Sequence, residues 1–204
     1  MGLEYVDIFY HHRMDPGTPL EETMGALEQA VRSGKALYAG LSNYDGATLE
    51  KATAILTELR VPFVINQNRY NILDRTIEKN GLKETAAKLG KGIICFTPLA
   101  QGILTDRYLN GIPADSRVRT DGRFLKEGSL DAAKIARVRR LNEIAAERGQ
   151  TLAEMALAWI LKDGAVTSVL IGASKPAQIL DNIKAIENTS FTAEELAAID
   201  EAAL

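Results

Sequence analysis

The chain has 204 residues, 46% of them apolar and 25% charged, with a net charge of −3 at neutral pH. These are values of an ordinary globular chain with room for one sizeable core. No long basic run is present, which removes nucleic acid and anionic membranes as main partners, and the apolar stretches are strand-sized, far short of a membrane span.

In chain order, the first strand-like run is YVDIFY at 5–10, which stops on the chain's two histidines, His11 and His12. A helix follows in TPLEETMGALEQAVRSGK. Thr18 supplies its N-cap, Pro19 its first turn and Glu21 the capping-box acid, and Gly34 stands just past its end. ALYAGL at 36–41 is the second strand and GATLEKATAILTELR the second helix. PFVINQ at 62–67 is the third strand, followed after a loop by a helix near 78–89, and GIICFT at 92–97 is the fourth. Its Cys95 is the only cysteine. That excludes an internal disulfide framework and, with an amino terminus unlike a secretory signal, points to the cytoplasm; apolar neighbours make it a buried, inert thiol.

The next stretch, LAQGILTDRYLNGIPADSRVRTDGRFLKEGSL, is polar, charged and glycine-punctuated. It reads as a long surface excursion of the kind that covers a site. Helices are expected at about 131–148 and 151–162. In the second, Leu152, Met155, Ala156, Trp159 and Ile160 form one apolar stripe, which makes Trp159 a core residue. TSVLIGA at 167–173 is the fifth strand, with a helix from about 176 to 187. Thr192 and Glu195 then make a capping box that Phe191 and Leu196 would staple.

The strands are apolar on consecutive positions, as strands covered on both faces are. Strand and helix alternate, so the chain is read as α/β, built from right-handed βαβ units in a single domain over 1–204 without linker or repeat. Five parallel strands make either a small open sheet or part of an eight-stranded barrel, and the pattern alone leaves both open.

In such folds sites lie beyond the carboxyl ends of the strands. Those ends read His11-His12-Arg13, Ser42-Asn43-Tyr44, Gln67-Asn68-Arg69-Tyr70-Asn71, Phe96-Thr97-Pro98-Leu99 and Gly172-Ala173-Ser174-Lys175. Carboxylates are scarce, which argues against paired-acid hydrolysis. Adjacent histidines without a cysteine partner lack the spacing of a metal site, so no metal is expected. Neither a Gly-x-Ser-x-Gly elbow nor a Walker loop is present. An amide-rich, acid-poor rim suits a neutral aromatic amide. GASKPAQILDN adds a phosphate signal, since a helix start marked by Pro176 and flanked by Lys175 attracts anions.

Taken together and in order, YVDIFYHH, GLSNY, NQNRYN, FTPLAQGILTDRY and SVLIGASKPAQILDNIKAI resemble the carboxyl-terminal portion of an aldo-keto reductase. The branch is that of the voltage-gated potassium-channel beta subunits and the bacterial L-glyceraldehyde 3-phosphate and methylglyoxal reductases. The resemblance covers essentially the whole chain. It implies a partial (β/α)8 TIM barrel whose five strands correspond to strands 4 to 8 with their helices. It implies an NADP(H) cofactor and reduction of a small aldehyde or ketone to an alcohol, with glyceraldehyde 3-phosphate and methylglyoxal as candidate carbonyls.

The same resemblance assigns residues. His12 matches the catalytic histidine, at the end of a D-x-x-x-x-H pattern begun by Asp7. Ser42, Asn43 and Gln67 match contacts to the nicotinamide carboxamide, and Phe96 the aromatic ring stacked on the nicotinamide. Thr97, Pro98, Leu99 and Gln101 match the pyrophosphate segment. Ser174, Lys175 and Gln178, with Gly172 in the same motif, match the contacts to the adenosine 2′-phosphate, and Asp181 and Asn182 those on the adenine side. Neighbouring strand residues point to opposite faces, so His11 and His12 cannot share one; the resemblance gives the site to His12 and leaves His11 to packing or the surface.

The family's aspartate, tyrosine acid and lysine have no counterpart in these residues, since Tyr44, Tyr70 and Lys35 sit in other motifs. The expectation is a truncated piece of a longer reductase that needs the amino-terminal part for activity. A barrel completed by a second chain and an inactive relic are the other possibilities, and homo-oligomerisation is left open. The alternative function is a non-catalytic, nucleotide-binding regulatory subunit like the channel beta subunits.

Overall fold

Aliphatic and aromatic runs build five strands: β1 (Val6–His11), β2 (Ala36–Ser42), β3 (Phe63–Arg69), β4 (Gly92–Phe96) and β5 (Ser168–Val169). They lie side by side in chain order, β1-β2-β3-β4-β5, and the first four pair in parallel. An order without reversal is that of a barrel wall; a doubly wound sheet reverses at a switch point. The computed structural model describes residues 2–114, 116–120, 125, 128 and 130–204, the side chains of 117 and 120 excepted.

The helices are α1 (Leu20–Arg32), α2 (Gly46–Glu58), α3 (Thr76–Lys79), α4 (Leu82–Lys88), α5 (Arg117–Thr120), α6 (Ala132–Glu147), α7 (Leu152–Leu161), α8 (Pro176–Ile183) and α9 (Ala193–Ala203). None of the described helices is long and apolar enough to cross a membrane. Packing divides the described residues into two compact units, one of 2–70, 75–96 and 165–168, the other of 71–74, 97–164 and 169–204.

In the first unit α1 and α2 bury Met24, Leu27, Leu49, Ala52 and Leu56 together with Ala39, Leu41, Ile93 and Cys95 of the strands. Two glycines permit close approaches here. Gly40 lies opposite Tyr10 in the β1–β2 ladder, and a Cβ on it would stand 2.6 Å from the tyrosine ring. Gly46 opens α2 against the carbonyl of Gly81, 2.5 Å from where its Cβ would be. Asp45 caps α2, its carboxylate accepting from Thr48 N at 2.8 Å.

In the second unit α6 and α7 bury Val138, Leu141, Ile144, Met155 and Trp159, the tryptophan as expected. Thr151 with Glu154, and Thr192 with Glu195, form the capping boxes of α7 and α9. Arg148 clamps this unit. Its guanidinium lies 3.7 Å from the Phe191 ring centroid, pairs with Glu195 at 2.5 Å and donates to Ser190 O at 2.9 Å.

Several expectations require correction. Thr18 does not cap α1, whose N-cap residue is Pro19. The Thr18 hydroxyl instead donates to the Asp15 carboxylate at 2.7 Å, a charge-assisted contact within the loop before the helix, and no side chain caps α1. The helix expected near 78–89 is two helices, broken where Gly81 adopts a φ of 75°. β5 keeps two of the seven residues expected, Ser168 and Val169; Leu170 and Ile171 already lie outside the ladder despite their apolar side chains. The helix expected to reach 187 ends at Ile183 and continues as a 3-10 turn, Lys184–Glu187. Coverage on both faces does not extend to β1, whose Phe9 is exposed. The excursion at 99–130 is not wholly a surface feature, because Ile103, Leu104, Tyr108 and Leu125 are buried; positions 115, 121–124, 126, 127 and 129 fall outside the described residues.

Candidate functional site

The first unit holds His12, Ser42, Asn43, Gln67 and Phe96. His12 is exposed and directly follows β1. After β2 the chain turns through Asn43, which sits in the left-handed region at a φ of 61°, a conformation asparagine tolerates better than most residues. Hydrogen bonds fix that turn. Asn43 N donates to Gln67 O at 3.0 Å, and the Ser42 hydroxyl donates to the same carbonyl at 2.9 Å. The Asn43 side-chain amide donates to His12 O at 2.9 Å and to Ser42 Oγ at 3.0 Å. Four expected site residues, from three strand ends, thus form one bonded group. Phe96 ends β4, half-buried, opposite Arg69, whose guanidinium carbon lies 6.0 Å from the ring centroid.

His11, the last residue of β1, is half-buried, and its Nδ1 lies 2.9 Å from the hydroxyl of fully buried Tyr44. Burial pushes the Tyr44 phenol up to about 12. Burial, and next the charge of His12, hold the His11 imidazole below its usual value. Tyr44 is therefore a protonated, internal phenol and no acid for the site, in keeping with the reading that left it unpromoted. Asn66 and Asn68, which sequence reasoning passed over, brace this turn from β3. Asn66 Nδ2 donates to Asn68 Oδ1 at 2.8 Å, and Asn68 Nδ2 to Tyr44 O at 3.0 Å. The available signal was a pair of asparagines flanking Gln67 in an otherwise apolar strand, since buried amides must find partners.

The second unit holds the other ten expected residues, and all ten line one cleft of about 960 Å³: Thr97, Pro98, Leu99 and Gln101 from the segment after β4, Gly172, Ser174 and Lys175 from the segment before α8, and Gln178, Asp181 and Asn182 from α8 itself. The segment after β4 is strained. Thr97, Ala100 and Gln101 have φ values of 57°, 47° and 61°, which cost energy in residues other than glycine and cluster where function requires them. Among the described residues the further positions of this kind are Asn43 and Arg60. Asn71 holds the segment by donating to Thr97 O at 2.9 Å, and Gly102 N and Leu104 N donate to Leu99 O at 2.8 and 3.1 Å.

Two features of this cleft bear on a dinucleotide. Gln101 Oε1 is buried without a hydrogen-bond partner, an acceptor that a bound donor would satisfy. At the start of α8 the amides of Ser174 and Lys175 do not stand unbonded as the sequence suggested. Both donate to Gln178 Oε1, at 2.8 and 3.1 Å, and the Ser174 hydroxyl joins them at 3.2 Å. The glutamine carboxamide occupies the place where an anion would be cradled, so an anion must displace it. The cleft also takes in Arg107, Asn142, Glu154 and Lys184, which sequence reasoning did not assign; the TDRY run contained the signal for the first. Hydrogen bonding to Asp181 at 3.0 Å raises the Lys184 ammonium above its usual value. The residues present fit a phosphorylated dinucleotide in chemistry: an extended cleft of mixed polar and apolar lining, with Arg107, Lys175 and Lys184 among its side chains.

Comparison with known proteins identifies the family. The sequence matches the aldo/keto reductase family over residues 1–204. It is 52% identical to L-glyceraldehyde 3-phosphate reductase of Escherichia coli strain K12 over 204 residues, 98% of this chain and 59% of that protein. It is 38% identical over 207 residues to a putative voltage-gated potassium channel subunit beta of Schizosaccharomyces pombe, covering 98% of this chain and 60% of that protein. Its structure is similar, with a TM-score of 0.72 and 30% identity, to a crystal structure of a thermostable aldo-keto reductase in complex with the inhibitor epalrestat, over 98% of this chain and 60% of that one. The chain thus spans about 60% of the length of the relatives it matches, and its α/β fold is a partial (β/α)8 barrel.

Proposed function

The chain belongs to the aldo/keto reductase family, and from that premise we propose that it carries the histidine and the NADP(H) cradle of an enzyme that reduces an aldehyde or ketone to an alcohol. The observation that carries this reading is the cleft in the second unit, where ten positions from three stretches of sequence line one space of about 960 Å³. Its volume is in the range of cofactor sites. L-Glyceraldehyde 3-phosphate is the first candidate substrate and methylglyoxal the second, on the strength of the 52% identity to the Escherichia coli reductase. The regulatory-subunit alternative rests on the lower identity of 38%. We place the reaction in the cytoplasm, on composition.

NADP(H), when bound, supplies the hydride. The chain's own residues do the rest of what these 204 positions offer. His12, exposed at the end of β1, donates a hydrogen bond to the substrate carbonyl oxygen, orienting it and stabilising the negative charge that develops there. Asn43 holds the His12 carbonyl at 2.9 Å and so fixes the backbone from which that imidazole projects. Ser42, Asn43 and Gln67 meet the nicotinamide carboxamide, and Phe96 offers its ring. Thr97, Pro98, Leu99 and Gln101 would line the pyrophosphate. Gly172, Ser174, Lys175 and Gln178 would hold the 2′-phosphate, and Asp181 and Asn182 would bound the adenine. Protonation of the product oxygen needs an acid these residues do not provide. Tyr44 is buried against His11, and the Tyr70 hydroxyl donates to Glu78. Turnover is accordingly a property of the longer protein. There, loss of reduced-cofactor absorbance with L-glyceraldehyde 3-phosphate is expected, and His12→Ala is expected to lower kcat about 10²–10³-fold; unchanged kcat in that variant would overturn the assignment.

A further inference from the structure

We propose that His11 and Tyr44 are positioning residues, whose side-chain contact ties the end of β1 to the turn after β2 and so holds His12 and Asn43 in place. The inference rests on the reading of His12 and Asn43 as site residues. The two segments lie far apart in sequence and meet at two points, His11 Nδ1 with the Tyr44 hydroxyl at 2.9 Å and the Asn43 side-chain amide with His12 O at 2.9 Å.

Tyr44 serves as a fixed post. Its side chain is fully buried, its carbonyl accepts from Asn68 Nδ2 at 3.0 Å, and the next residue, Asp45, is pinned as the N-cap of α2. The His11 ring meets the phenol edge-on, with centroids 5.9 Å apart and planes at 78°. A ring held in that way sets the last peptide of β1. His12, one position on, projects to the other side, so its direction follows from the His11 anchor. Asn43 stands immediately before Tyr44 in the left-handed region, a conformation that persists only when its surroundings over-determine it. The Tyr44 post supplies that constraint on one side and His12 O on the other.

The test uses proton NMR of the 204-residue chain to read solvent exchange of the Asn43 side-chain amide. His11→Leu and Tyr44→Phe each remove one half of the contact, and His11→Asn keeps a polar atom where Nδ1 stood. Exchange about tenfold faster in His11→Leu and Tyr44→Phe, as expected for one lost hydrogen bond, with near wild-type exchange in His11→Asn, supports the proposal. Unchanged exchange in the first two, or equal acceleration in His11→Asn, overturns it, the latter by reducing His11 to packing. If Tyr44→Phe fails to fold, the two His11 variants decide, since His11 is only half-buried. NADPH titration of the same samples separates the two claims. Absence of binding to the wild-type chain would overturn the reductase reading, while the exchange result would still decide the role of His11 and Tyr44.

Discussion

Gly40→Ala links strand packing to the site. The new methyl would stand 2.6 and 2.7 Å from two carbons of the Tyr10 ring and 2.9 Å from Ile8 Cγ2, against an ordinary contact of 3.4 Å or more. The ring must therefore retreat by about 0.8 Å from a neighbour it faces directly in the ladder. Overpacking of this kind costs about 1–3 kcal/mol, which for a chain of this length lowers Tm by about 2–12 °C. Gly40 also stands two residues before Ser42, which pairs with Gln67 in the β2–β3 ladder, so the strain reaches residues assigned to the cofactor carboxamide, and NADPH affinity should fall about fivefold, the equivalent of one weakened hydrogen bond. Scanning calorimetry and nucleotide titration read the two effects. Adding Tyr10→Val to make room should restore Tm toward that of the Tyr10→Val single variant, a coupling visible in the double-mutant cycle. A Gly40→Ala protein as stable as the wild type, or a cycle with no coupling, would refute the packing account of this glycine.

Arg148→Ala removes a side chain that is 3% exposed and strips Glu195 of its partner; denaturant unfolding should show a loss of about 3 kcal/mol, with Arg148→Lys recovering only part because it lacks the planar fork over Phe191. Asp45→Ala should cost about 1 kcal/mol by uncapping α2. Its carboxylate is held below the usual range by the Thr48 amide, so the contribution is full above about pH 3.9 and fades as pH falls through the folded value, a loss the alanine variant should not show. Burial holds the His11 imidazole low, which favours the neutral ring in the folded state. Stability from this residue should therefore be full above the unfolded value of about 6.5 and decline as pH falls from there toward the folded pKa, and urea midpoints of His11→Leu across about pH 5 to 8 should be flatter than those of the wild type.

The ends of β1 to β4 were readable within about two residues, because consecutive apolar positions bounded by polar strand ends leave few alternatives. Failures came where a local competitor won. The Thr18 hydroxyl bonds Asp15 in the loop before the helix, Gly81 splits one periodic segment into two helices, and the ladder ends at Val169 although apolar Leu170 and Ile171 follow. Apolar residues at 103, 104, 108 and 125 were masked by the charges around them. At the site, the family motifs led to ten positions that line one cleft, but they did not show that Gln178 folds back onto the amides of its own helix start; a glutamine at the third position of the helix that Pro176 opens was the available capping signal. Nor could it show that Tyr44 faces His11, since residues that distant in sequence meet only through the β1–β2 ladder.

The second-unit cleft is proposed to take a phosphorylated dinucleotide through Ser174 and Lys175. Calorimetric titration of the 204-residue chain with NADPH and with NADH tests it most directly. The account predicts saturable binding with NADPH about tenfold tighter than NADH, as one charge-assisted contact supplies, and loss of that preference in Lys175→Ala. Equal affinities for the two nucleotides in the wild type, or no binding of either, would contradict it.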